Sequence, residues 1–267
     1  MANGILQEMT IEQVRAFDPQ VAIVCIASTE PHGPHLPYGT DFFSGDAICR
    51  HAVVRANERG ARVLMYPTIP VGNNVNFKQF PFACRMRVRT LMLLVLDVIE
   101  ALEEDGIRKI VLLNSHGGNT DTLRAVLREH VDRQKPTEQG ERAFVCMING
   151  FEMESPEAAA KIEHASDHAG ESETSLMMHL QPELVREEKL TSLPMHGPDV
   201  AALRELPVHF VRPWHRYMPR SGGGELGAST AEKGKALLDS RAEHIAQALA
   251  DLSQAKWSTD FPYADRT

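Results

Sequence analysis

Cysteine is scarce in this 267-residue chain. Cys25, Cys49, Cys84 and Cys146 are widely spaced and form no Cys-x-x-Cys pair. That argues against a disulfide framework. Three of the four lie in apolar runs, which predicts buried free thiols and a reducing, cytoplasmic compartment. Long apolar runs are also missing. The most apolar window, Leu91 to Leu96, is followed at once by Asp97 and then Glu100. No stretch is long enough to span a bilayer, so no membrane partner is expected. The residues from Met1 to Met9 lack a basic segment followed by an apolar core, and they do not read as a signal peptide. Excess positive charge is absent as well. Lys and Arg number 28 against 36 Asp and Glu, for a net charge of −8, which disfavours nucleic acid as a partner. There is no G-x-S-x-G elbow for a serine hydrolase and no G-x-x-x-x-G-K-[ST] phosphate loop. Gly222 to Gly224 follows no clear strand and is not read as a phosphate loop.

What is present is an alternation of two kinds of segment. Thr10 to Gln13 reads as a capping box opening a short helix to about Phe17, ended by Asp18-Pro19. Val21 to Ala27 is a continuous β-prone apolar run, hence a strand buried on both faces. Further strands are expected at Arg62 to Tyr66, stopped by Pro67, at Lys109 to Leu113 and at Ala143 to Ile148. Helices are expected at Phe42 to Glu58, Thr90 to Asp105, Thr120 to Gln134 and Glu173 to Leu180. Another runs to about Gln254 behind a cap at Ala228 to Thr230. Pro136 to Gly140 reads as a polar turn, and Ser221 to Gly224 as a linker or mobile hinge. Strands alternating with helices predict an α/β fold, a mainly parallel sheet with helices on both faces, in one domain over residues 1–267.

The densest chemistry lies in Ser28 to Asp41, directly after the first strand. This stretch holds two carboxylates and two imidazoles among three prolines and two glycines. It cannot be a helix, and the fixed or unusual backbone angles make it a loop of limited flexibility. Glu30, His32 and Asp41 offer one nitrogen and two carboxylate ligands, a set suited to Zn²⁺, Mn²⁺ or Fe²⁺. Turn-forming composition alone would also give a loop of this kind. Two other stretches tip the balance: Leu113-Asn-Ser-His-Gly-Gly-Asn119 and Asp167-His-Ala-Gly-Glu-Ser-Glu-Thr-Ser175. Glu30 and His116 each follow a predicted strand, and ligands in parallel sheets bind outside the carboxyl ends of strands.

Together and in this order, the three stretches resemble the creatininase (creatinine amidohydrolase) family. The resemblance implies that Glu30, His32, Asp41 and His116 are metal ligands, with Asp41 bridging two divalent ions (Zn, Mn or Fe). It assigns His168 to catalysis. Creatininase carries a glutamate two residues after the His116 equivalent. Gly118 stands there in this chain, which leaves Glu173 as the candidate fifth ligand and puts creatinine itself in doubt as the substrate. The expected activity is hydrolysis of a cyclic or other small amide by a metal-activated water, with His168 giving a proton to the leaving nitrogen. Two alternatives stay open: hydrolysis of a ring C–C or C–N bond in a sugar-like ketone, and a non-catalytic metal-bound scaffold. The family resemblance also implies a homo-oligomer, hexamers being common. Substrate contacts are expected in Val71 to Arg89 and Leu193 to Ser221. Lys78, Arg85, Arg87 and Arg89 make the first of these basic. Solvated charge or a subunit contact is the plain reading, and an anionic substrate the functional one. His35 reads as a loop staple, Glu171 as solvent-facing, and the charges of the last helix as an ordinary solvated face.

Overall fold

Strand β1 (Val21–Ile26) is apolar at every position, and all six residues are buried. Such a strand needs cover on both faces, and its alternating side chains divide between two cores. Val21, Ile23 and Cys25 enter one core with α2 (Thr40–Glu58) and α9 (Ala231–Gln254). Ala22, Val24 and Ile26 enter the other with α3 (Val88–Glu104) and α4 (Thr120–Asp132). The computed structural model describes residues 3–133, 142–166, 168–258 and 260–263. The turn expected at Pro136 to Gly140 lies outside them.

Four parallel strands form the sheet in the order β2-β1-β3-β4, with β2 at Val63–Ile69, β3 at Lys109–Asn114 and β4 at Phe144–Asn149. From β1 the chain crosses to β2 on one side, and from β3 to β4 on the other. The switch point therefore lies between β1 and β3, where a crevice opens at the carboxyl ends. The expected stop at Pro67 does not occur. β2 is an edge strand, where a missing N–H costs no ladder bond, and a bulge between Val24 and Ile26 takes up the extra residue.

The capping box on α1 (Ile11–Phe17) is present, with Thr10 and Gln13 bonding reciprocally. Helix α2 begins at Thr40, two residues before the sequence reading, because the Phe43 N–H already bonds the Gly39 carbonyl at 2.8 Å. Asp41 therefore sits in a first helical turn, where the helix dipole favours a carboxylate. Short helices α5 (Pro156–Ala159), α7 (Ala201–Glu205) and α8 (Trp214–Tyr217) interrupt the long connections. Helix α6 (Glu171–Leu180) lies against α9 so closely that a Cβ on Gly234 would stand 1.9 Å from the Ser175 carbonyl oxygen. Among the described residues no helix is long and apolar enough to cross a membrane.

Candidate metal centre

The loop after β1 delivers Glu30 and His32, the first turn of α2 delivers Asp41, and the loop after β3 delivers His116. Helix α6 and the residues just before it supply Glu173 and His168. The six side chains meet at the switch point. Asp41 is central: its Oδ1 lies 3.2 Å from His32 Nε2 and its Oδ2 3.1 Å from His116 Nδ1. Glu30 Oε1 is 3.3 Å from His116 Nδ1 and 3.8 Å from His168 Nδ1, while Glu173 Oε1 is 4.0 Å from His32 Nε2. Three groups result, each with donor atoms close enough to share an ion: Glu30, Asp41 and His116; His32, Asp41 and Glu173; and Glu30, His32 and His168. The first two share Asp41 alone.

Each imidazole is aimed by a backbone carbonyl. His32 Nδ1 is 2.9 Å from Glu30 O, His116 Nε2 is 3.1 Å from Asn73 O, and His168 Nε2 is 2.9 Å from Pro31 O. A carbonyl only accepts, so each of these nitrogens carries the hydrogen. The other nitrogen of each ring faces the carboxylates, where it can carry a proton or give its lone pair to a metal, the arrangement that orients metal-bound histidines. Glu30 Oε1 is buried without a hydrogen-bond partner, and His32 Nε2 and Asp41 Oδ2 are buried with only Asp41 and His116 of the cluster itself to face. Buried polar atoms left to face one another in this way are costly in a protein interior, and bound cations would satisfy them. The residues present thus fit divalent metal.

The electrostatics agree. Burial would lower His32, but Asp41 beside it raises its pKa to about 10. Burial would likewise lower His116, yet Glu30 and Asp41 bring it up to about 9. Burial pushes Glu30 up to about 7 and also raises Glu173. Asp41 goes the other way: burial opposes its charge, but His32 and His116 hold it well below the usual carboxylate range. Burial, then the neighbouring His32, holds His168 well below an ordinary imidazole. The cluster therefore attracts cations, and without a metal it satisfies itself with protons on His32 and His116.

Gly118 has a structural reason. A Cβ there would stand 2.1 Å from Asn73 O and 2.5 Å from His116 Nε2, so a glutamate at this position would break the bond that aims His116. Asn119 ties the loops together: its amide donates to Ala27 O at 3.1 Å, and its Oδ1 accepts from Asn73 N at 2.8 Å. Asn74 donates to Ser28 Oγ at 3.1 Å, and Ser28 donates to Glu30 Oε2 at 3.2 Å.

Several side chains stand elsewhere than the sequence suggested. Glu171 is buried rather than solvent-facing, and it accepts bonds from the Glu163 and His164 N–H groups and from Lys233 Nζ. Ser221 to Gly224 is no linker. Gly33 N donates to Ser221 O and Gly223 N to His168 O, so the segment clasps the loops of the site. His35 does act as a staple, with Nε2 2.8 Å from Thr174 Oγ1. Lys78, Arg85, Arg87 and Arg89 are exposed and do not line the cavity. Arg241 is not a solvated charge: it is 6% exposed. The sequence reading also missed Trp214. Its ring stacks on Phe77 at 5.3 Å, and both rings lie beside His168. A lone tryptophan in a proline-rich stretch carried no signal of this.

The cluster opens into a cavity of about 660 Å³. Its walls include Asn74, Phe77, Trp214 and Arg241, a size and mixed lining suited to a small-molecule ligand.

Comparison with known proteins places the site in context. The creatinine amidohydrolase (creatininase) family model matches residues 7–249. A mycofactocin precursor peptide peptidase from Mycobacterium ulcerans is 28% identical over 195 residues, covering 71% of this chain and 69% of its own. The creatinine amidohydrolase of Pseudomonas putida is 25% identical over 252 residues, covering 86% and 89%. A crystal structure from Bacteroides fragilis assigned as a creatinine amidohydrolase superimposes with a TM-score of 0.80 at 29% identity, over 97% of this chain and 100% of that one. Creatininases solved in zinc and manganese forms share the fold at 23% identity, with TM-scores of 0.74 and 0.71. With the family model spanning nearly all of the chain, the protein belongs to the creatininase family of hydrolases.

Proposed function

We propose that the protein is a metal-dependent amidohydrolase that cleaves the C–N bond of a small amide at a two-metal centre. The observation that carries this reading is the pair of three-donor groups joined only through Asp41. Glu30, Asp41 and His116 would hold one ion, and His32, Asp41 and Glu173 the other. Zinc, manganese or iron suits such a mixed set, and related creatininases occur in zinc and manganese forms. Ions of this kind, when bound, lower the pKa of water and polarise a carbonyl.

The chain's own residues supply the rest. The bond to Pro31 O fixes the His168 ring and leaves Nδ1 facing the cluster. A neutral imidazole there takes up a proton and passes it to the leaving nitrogen. Phe77 and Trp214 pack beside that ring and keep bulk water from it. Since the cavity reaches about 660 Å³, a linear amide or the end of a peptide fits as readily as a single ring.

The test is a screen of protein loaded with zinc, manganese or iron against cyclic amides, formamides, short peptides and keto-inositols, with metal-stripped protein as control. The expected result is cleavage of an amide that stops on stripping and returns on reloading. Cleavage of keto-inositols alone would replace this reading with ring-ketone hydrolysis. Two bound ions without any turnover would replace it with the scaffold.

We also propose that the protein assembles as a homo-oligomer. The support is Phe82, which is 90% exposed with φ at 52°, a conformation uncommon outside glycine. Light scattering should return a multiple of the chain mass. A monomer at micromolar concentration refutes the assembly.

A further inference from the structure

Arg241 projects from the middle of α9 into the wall of the catalytic cavity. A cationic side chain that is 6% exposed is rarely left there without a counter-charge. Its partner is Glu154, whose Oε2 accepts from Arg241 Nε at 2.6 Å. Among the described residues that is its one hydrogen bond, and it engages only one corner of the guanidinium. The two terminal nitrogens make no hydrogen bond to a described residue, and the guanidinium charge lies near enough to Glu173 to favour that carboxylate. Arg241 and Glu154 line the cavity together with Glu173. Glu154 thus holds one corner of a guanidinium that lines the cavity, and the two terminal nitrogens remain for a ligand. A planar guanidinium held in this way is a bidentate receptor for a carboxylate.

The surroundings make this edge distinctive. Glu30, Asp41, Glu173 and Glu154 give the cavity its negative charge, which two divalent ions would offset at one end. The basic run of Lys78, Arg85, Arg87 and Arg89, the other place in the chain where an anion could be read, stays outside. Arg212 also borders the cavity, but it lies over the Trp214 and Tyr217 rings at 5.4 and 4.4 Å.

We propose that Arg241 binds a carboxylate of the substrate, so that the enzyme acts on small amides carrying an acidic group. This rests on the reading of the cavity as the catalytic pocket. Arg241 sets specificity, while the metal-side residues set chemistry.

The test measures binding, and turnover separately, with two matched pairs of ligands on metal-loaded protein. Dihydroorotate and dihydrouracil share a cyclic amide and differ by a carboxylate. Glycylglycine and glycylglycinamide form the linear pair. Calorimetry should give the acid of at least one pair roughly tenfold or more tighter binding than its neutral partner, the scale of one charge-assisted contact. Arg241→Gln should abolish that preference, and Arg241→Lys, which keeps the charge but not the fork, should keep part of it. Glu154→Gln should strengthen it, because the competing anion is gone. A folding defect cannot produce that opposite sign. Equal binding of acid and neutral ligand in both pairs, a preference that survives Arg241→Gln, or no measurable binding of either acid would overturn the proposal. The two readings are separable: a carboxylate preference lost in Arg241→Gln supports the subsite whether or not these four compounds are cleaved, and amide cleavage without the preference would refute the subsite alone.

Discussion

Replacing Asp41 by alanine should empty both metal positions, whereas replacing His32 or His116 should empty one. The asymmetry comes from the donor sets. Asp41 belongs to both the Glu30–His116 group and the His32–Glu173 group, and each histidine belongs to one of these two. Asp41→Ala takes both groups from three protein donors to two. A structural zinc is held by about 10–16 kcal/mol through four ligands, or roughly 3 kcal/mol per donor, which is a factor of about 10² in affinity. Asp41→Ala should then weaken both ions by about that factor or more, since a buried negative charge leaves with the donor. His32→Ala should weaken one ion by a similar factor and spare the other. Asp41→Asn separates the two contributions, because it keeps the shape and removes the charge. The assay is elemental analysis after dialysis at a free metal level just sufficient to saturate the unaltered protein. The expected content is about two ions per chain for the parent, near one for each histidine variant and near none for Asp41→Ala. If Asp41→Ala retains one ion, or loses no more than His32→Ala does, Asp41 is not shared and the two-metal reading falls.

Three other outcomes are expected. His168→Ala should keep its metal content and melting temperature but lose roughly 10² to 10⁴ in turnover on the amide that the screen identifies, while Glu173→Ala should lose metal as well; His168→Ala shedding an ion would make His168 a ligand with Glu30 and His32. Asn74→Ala should remove the support that reaches Glu30 through Ser28 and weaken the ion at Glu30 by roughly 10- to 100-fold, read by competition with a chelator; no change, or equal weakening of both ions, would refute the relay. The metal-stripped protein should lose stability as pH rises. Glu30, His116 and His32 have folded-state pKa values raised to about 7, 9 and 10, so their contribution is full below their unfolded values and gone once pH has passed the folded ones. Asp41, whose pKa is depressed, loses its contribution only at acid pH and does not alter this window. Metal and protons compete for the same atoms, so the melting-temperature gain on adding zinc should grow between about pH 6 and 9; a gain that shrinks over that range would contradict the protonation pattern.

That Glu30, His32, Asp41 and His116 come together was legible because the chemistry is written locally. Glu30, His32 and Asp41 fall within one short loop and helix start, and His116 directly follows a strand. A parallel sheet then brings the ends of β1 and β3 together without any long-range information. Orientation was not legible in the same way. The groups that aim His32, His116 and His168 are the backbone carbonyls of Glu30, Asn73 and Pro31, and a carbonyl has no residue type to betray it. Gly118 illustrates this: the sequence marks a missing glutamate, whereas the structure gives the glycine a purpose, to let Asn73 O reach His116.

Charges on helices were misread for a related reason. Periodicity says which face of a helix is polar, but not whether that face meets solvent, a partner or a cavity. Lys233 and Arg241 both lie on α9 among ordinary surface residues, yet Lys233 is paired with the buried Glu171 and Arg241 with Glu154. Each pairing joins α9 to a segment close to the cluster around Asp41. Glu171 holds the Glu163 and His164 amides just ahead of His168, and Glu154 leads into α5 after the last strand. Helix α9 is therefore more than a cover for the sheet. Through one cation it braces the turn that carries His168, and through the other it presents a fork to the cavity. Altering Lys233 should disturb the position of His168, and altering Arg241 should disturb what the cavity accepts. Two charges on one helix would then affect kcat and KM separately.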